Sequence, residues 1–141
     1  MVLKKYTNLL SIFNRNTDKN LAKHIVNFFE LLYVKVYLII LIILNLFSWF
    51  TSYYINLKID NDRMALHYNV DFGIDYYDDS EKIYIIPLLG LIIILINTTI
   101  GIVINDYKDR RFISHILFSA ALVSNIILMA AISSIYLINF R

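Results

Sequence analysis

The run Val36–Leu57, VYLIILIILNLFSWFTSYYINL, decides how this chain folds: it is 22 residues long and carries no charge. A helix needs roughly 20 apolar residues to cross the hydrocarbon layer of a bilayer, so this run suffices for one crossing. Two more follow. Ile83–Asn105 gives 23 uncharged residues, and Phe112–Phe140 gives 29. A buried helix of a soluble protein is the competing explanation for one such run, but three in succession leave it little room. The fold class expected is an all-α integral membrane protein with three transmembrane helices, over about 36–57, 83–105 and 113–138.

Composition points the same way. Hydrophobic residues make up 59% of the 141 and charged residues 17%, against about 45–50% and about 25% in soluble domains. The chain has no cysteine. That excludes a disulfide framework, a thiolate nucleophile and a cysteine-based zinc site.

Charge placement sets an expected orientation. Lys4, Lys5, Arg15, Lys19, Lys23 and Lys35 precede the first run, and Lys108, Arg110 and Arg111 fill the link between the second and third. The remaining basic residues are Lys58, Arg63, Lys82 and Arg141. By the positive-inside rule the N-terminus and the 106–111 link belong in the cytoplasm, and the 58–82 loop and C-terminus outside. The expected location is the plasma membrane. The first run begins too late and is too long for a signal-peptide core, so it reads as a retained anchor.

Residues 1–35 read as a cytoplasmic segment of basic amphipathic helices. Leu3, Tyr6, Leu9, Leu10 and Phe13 recur at helical spacing, and Leu21, Ala22, Ile25, Val26, Phe28, Phe29 and Leu32 repeat the pattern after a break at Asn14–Asp18. Such helices lie on an anionic leaflet, or dock on a partner protein. Basic residues placed along a membrane surface give no footprint for nucleic acid.

Each run has one asparagine near its middle: Asn45, Asn97 and Asn125. They lie on stripes of small or polar residues, namely Asn45, Ser48 and Ser52; Gly90, Asn97 and Gly101; and Ala120, Ser124, Ala131 and Ser134. Small residues let helices approach, and buried amides seek partners across the contact. A structural polar seam is expected in preference to a solute pathway, because among His, Asp, Glu, Lys and Arg only His115 falls within the runs.

The loop 58–82 concentrates the remaining chemistry, with seven acids against three basic residues. From Leu66 to Tyr76 apolar and polar residues alternate, a strand-like signal with a turn expected at Gly73. Residues two apart on a strand face the same way. His67, Asn69, Asp71 and Asp75 therefore form the candidate binding set, and His67, Asp71 and Asp75 the candidate metal ligands, suiting zinc or manganese. The plainer account is a solvated acidic loop. Neither a phosphate-binding glycine loop nor a G-x-S-x-G or H-E-x-x-H motif is present. No cofactor is expected.

The residues Leu66-His67-Tyr68-Asn69, Gly73, Lys82 and Ile86-Pro87-Leu88-Leu89 give a resemblance. They resemble a bacterial membrane domain of unknown function that forms the N-terminal part of an immunity protein against a cannibalism toxin. They are also similar to small three-span proteins from bacteria with reduced genomes. The likeness runs from the end of the first apolar run through the second. The prolines that commonly flank the family's histidine are replaced by residues such as Ala65. The resemblance implies two membrane helices around a loop in which His67 and Asn69 are the positions of interest.

Taken together, the sequence leads to a non-enzymatic membrane subunit or scaffold. Its partners would be the lipid bilayer and an envelope protein or a second copy of itself. The alternative is a metal- or peptide-sensing, immunity-like protein that uses the His67 loop.

Overall fold

A computed structural model describes residues 22–59, 63–69, 71 and 73–140, with the backbone alone for 67–69 and 73–76. The first amphipathic segment, before residue 22, lies outside the described residues. Helix α1 covers 22–30. Leu31 then adopts an extended conformation (φ −65°, ψ 120°) and breaks the path into α2, Leu32–Lys58. After the loop come β1, Arg63–Asn69, and β2, Gly73–Asp79. A 3-10 turn, Ser80–Tyr84, leads into α3, Ile85–Val103, and a second, Ile104–Asp106, leads out of it. Helix α4 spans Arg110–Phe140.

Three of these helical stretches, Leu32–Lys58, Ser80–Asp106 and Arg110–Phe140, are long and apolar enough to cross a membrane. They pack as an up–down–up bundle in which every pair is in contact. One end carries the α3–α4 link, with α1 beside it; the other carries the hairpin. The hydroxyls of Ser48, Thr51, Thr98, Thr99, Ser133 and Ser134 each donate to the carbonyl four residues back in their own helix. That arrangement satisfies a hydroxyl without water or a second helix. Pro87 is the third residue of α3. In a first helical turn its missing N–H breaks no hydrogen bond.

Two apolar clusters fill the contacts between the elements. At the link end Phe28, Val34, Leu41, Ile94, Phe118 and Ala121 are buried together. At the hairpin end Ile55, Met64, Ile83, Ile132 and Ile135 form the second.

The segment after α2 differs from the alternation expected over Leu66–Tyr76 with its turn at Gly73. The chain reverses earlier, between Asn69 and Gly73, which pair in an antiparallel hairpin. Gly73 therefore opens the second strand instead of making the turn. The register slips on both sides of His67, leaving Leu66 and Asp75 without opposite partners. Such extra residues are β-bulges, and they shift the two-residue alternation. Met64 and Ala65 are accordingly the buried pair, and Leu66 is half-buried.

Candidate functional site

The polar side chains of the bundle gather at three levels. At mid-height, Asn45 on α2 donates to the Pro87 carbonyl of α3 at 2.8 Å. Asn125 on α4 donates to Ala121 O at 3.0 Å and reaches Gly90 O at 3.5 Å. Both asparagines are buried, at 5% and 2% exposure. They meet because Gly90 lacks a side chain: a Cβ built there falls 2.6 Å from Asn125 Oδ1 and 2.8 Å from Asn45 Nδ2. Asn97 is not part of this junction. It is half-buried and donates to Ile93 O of its own helix at 2.9 Å. Ser48 and Ser52 join Asn45 on the buried face of α2. On α4 the inward residues are Ser114, Ala121 and Asn125, whereas Ala120, Ala131 and Ser134 are exposed. The small-residue stripe of that helix therefore runs one position away from the Ala120–Ser134 line read in the sequence.

At the hairpin end, the Asn139 side chain acts as a strand edge. Ala65 N donates to Asn139 Oδ1 at 3.0 Å, and Asn139 Nδ2 donates to Ala65 O at 2.9 Å. The same Nδ2 also donates to Ile135 O at 2.9 Å. A primary amide presents one acceptor and two donors, so this side chain satisfies both peptide groups of Ala65 and one carbonyl of its own helix. Trp49 stacks on Tyr84 at 5.9 Å, and Asn56 Nδ2 donates to the Tyr84 hydroxyl at 3.4 Å. These contacts tie the 3-10 turn after β2 to α2.

At the link end, Phe28 of α1 is fully buried and lies against Phe118, ring centroids 6.4 Å apart. Its ring edge fills the gap left by Gly101, where a Cβ would fall 2.7 Å from Cζ. His24 Nδ1 lies 3.1 Å from Asp106 Oδ1, and Arg110 donates to Asn105 O at 2.9 Å. Helix α1 is thus docked on the bundle of its own chain through Phe28, with Val26 and Phe29 still exposed. Beside it Tyr37 OH sits 3.3 Å from both Ser119 Oγ and His115 Nδ1.

The candidate metal and binding residues lie on the two strands and the turn of the hairpin. His67 pairs in register with Tyr76, and Asn69 with Gly73. Asp71 lies in the turn, past the end of β1, and Asp75 falls in the irregular stretch of β2. The extended strand that would align His67, Asn69 and Asp71 stops at Asn69. The side chains of His67, Asn69 and Asp75 lie outside the described residues. Among the described residues, no three His, Asp or Glu side chains gather closely enough to hold a metal. The acids Asp78 and Asp79 frame the end of β2, with Lys82 paired to Asp78.

Asn139 and Phe28 have structural roles that the sequence does not single out. The available signal for Asn139 was a lone amide at the end of an apolar run, on the side of the bundle that receives the loop. For Phe28 it was a ring centred on the apolar face of a segment ending shortly before the first membrane-length helix. No protein-family model, curated protein or solved structure matches this chain.

Proposed function

We propose that this chain is a multi-pass membrane protein acting as a non-enzymatic subunit or scaffold that holds an acidic hairpin at the outer surface for an envelope partner. The N-terminus, α1 and the α3–α4 link lie on the cytoplasmic side, and the hairpin and C-terminus lie outside. The positive-inside distribution supports this orientation.

The observation that carries the reading is the reciprocal amide pairing of Asn139 with Ala65. A two-stranded hairpin alone is marginally stable at best. Here it is anchored to a membrane-length helix by paired hydrogen bonds and by the burial of Met64. That leaves Tyr77 and Asp79 exposed on a platform of fixed position. The mid-height asparagines donate to backbone carbonyls of neighbouring and own helices, a use of polarity that locks helices together. The described polar contacts hold elements in place, and the acidic loop is the chemically distinctive surface they present.

Two measurements test this. Reporter fusions after Arg15, Asp75, Asp109 and Arg141 should read inside, outside, inside and outside; an inside signal at Asp75 overturns the orientation. Photo-crosslinkers placed at Tyr77 and Asp79 in native membranes should trap one discrete protein, with the yield falling in Asn139→Leu. Crosslinks only to lipid, or a yield indifferent to Asn139, would remove the scaffold reading.

A further inference from the structure

A groove of about 450 Å³ opens on the outside of the bundle between α2 and α4 at the link end, lined by Leu32, Tyr33, Val36, Tyr37, Ile40 and His115. Its polarity is graded. The His115 ring packs on Tyr33 at 4.9 Å and on Tyr37 at 5.7 Å between centroids. The imidazole and both hydroxyl-bearing rings therefore sit toward the start of α2. From Tyr37 inward the α2 wall continues with Ile40 alone, and Leu32, Val36 and Ile40 make one apolar stripe at helical spacing. That stripe extends about 12 Å along the helix at 1.5 Å per residue.

The polar end is incompletely satisfied. His115 is exposed and uses Nδ1 toward Tyr37; among the described residues Nε2 has no partner. The Tyr33 hydroxyl is shielded from solvent and has no hydrogen-bond partner among the described residues. Groups of this kind are ordinarily paired. Arg111, exposed, lies one turn before His115 on the same side of α4.

We propose that this groove binds one anionic phospholipid, with its phosphate at His115 and Arg111 and one acyl chain passing inward over Val36 and Ile40. Three features select this occupant. The groove's polar groups, Tyr33, Tyr37 and His115, end at Tyr37, and only Ile40 lines it further toward mid-bundle, so a headgroup and the chain beneath it have separate places. Among the groove residues the polar end offers an imidazole and no carboxylate, and the Arg111 guanidinium lies outside the lining, one turn before His115 on α4. Basic pockets between membrane helices on the cytoplasmic side bind anionic headgroups by this same complementarity. The proposal rests on the membrane reading given above but not on which way the chain is inserted.

The test uses the full chain in detergent, where leaflet and orientation play no part. Native mass spectrometry would be run with dioleoylphosphatidylglycerol and, separately, dioleoylphosphatidylcholine, whose chains are identical. One phosphatidylglycerol should be retained per chain, with phosphatidylcholine at least tenfold weaker. His115→Leu and Arg111→Gln should each weaken phosphatidylglycerol about tenfold, equivalent to about 1.4 kcal/mol. Val36→Trp, which fills the groove, should abolish retention. Circular dichroism melts would show that each variant is folded, and a variant that is not would be replaced by Tyr37→Phe or Ile40→Trp. Equal retention of the two lipids, or unchanged retention in folded His115→Leu, overturns the proposal. So does displacement by excess inorganic phosphate, which would mark a headgroup site with no role for the acyl chain. Failed topology fusions with intact lipid selectivity would overturn the orientation alone.

Discussion

Replacing Asn139 by leucine should release the hairpin from the bundle and leave the helices packed. The wild-type amide makes two hydrogen bonds to Ala65, at 3.0 and 2.9 Å. A neutral hydrogen bond contributes about 0.5–1.5 kcal/mol net, and a buried peptide group left unpaired costs about 1–3 kcal/mol. Ala65 is 2% exposed, so water cannot replace the lost partner while the hairpin stays docked. Undocking then becomes the cheaper response, and it forfeits part of the Met64 burial. A net destabilisation of docking of about 3 kcal/mol corresponds to a change on the order of 10² in the closed-to-open ratio. Amide hydrogen exchange in micelles reads that ratio at Ala65 itself. Protection there should fall about 100-fold in Asn139→Leu, while Ile94, in the middle of α3, keeps its protection. Asn139→Asp retains the acceptor for Ala65 N–H but loses the donor to Ala65 O, and should give a drop of about tenfold. Undiminished protection of Ala65 in a folded Asn139→Leu protein would refute the clamp.

The same geometry yields further outcomes. Gly90→Ala forces two buried amides apart, because its Cβ would meet both Asn125 and Asn45; it should lower the thermal midpoint in detergent by the equivalent of about 1–3 kcal/mol. Gly101→Ala meets only the end of the Phe28 ring, so tryptic cleavage at Lys23 should accelerate while the bundle's melting stays unchanged. Asn45→Leu should cost about 0.6–1.7 kcal/mol, the range for interhelical hydrogen bonds in membranes. Asn97→Leu, whose amide bonds its own helix, should melt close to wild type, and a larger effect than at Asn45 would contradict the placement of the junction.

The three membrane-length helices were legible because length and the absence of charge are properties of a run, and no tertiary contact alters them. The hairpin was half legible. Alternation from Leu66 to Tyr76 announced extended backbone, but periodicity carries no information on where a chain reverses. The bulge at Leu66 then shifted the alternation that would have named the buried side. The Asn45–Gly90–Asn125 junction shows a related limit. A polar residue in an apolar run must bond something, but Asn97 found its partner four residues back and Asn45 found one on another helix. Sequence spacing treats the two alike; only the approach of a second helix at Gly90 separates them. On α4 the small residues Ala120 and Ala131 face outward, since smallness permits close approach without compelling it.

Only 22% of each membrane-length window is buried, so the helices share narrow contacts. In lipid, apolar surface gives little drive for helices to associate, and packing of small residues with a few hydrogen bonds must do so. Here those fixings are separate: the Asn139 clamp at one end, the Gly90 junction between, and the Phe28–Gly101 dock at the other. Asn139 and Phe118, the residue against which Phe28 packs, are 21 positions apart on α4, about 30 Å along the helix. Sites that far apart with no shared partner add to within about 0.3–0.5 kcal/mol, whereas a chain with two global packings would couple them by more. A double-mutant cycle between Asn139→Leu and Gly101→Ala distinguishes a scaffold from a transmitting sensor. The readouts are Ala65 exchange at one end and Lys23 cleavage at the other. For a scaffold each variant should move only its own readout, and the double variant should reproduce the two single effects within about 0.5 kcal/mol. Faster cleavage at Lys23 on loss of the Asn139 clamp alone would mean that the hairpin's state reaches the opposite end, and the chain would then have to be read as a sensor.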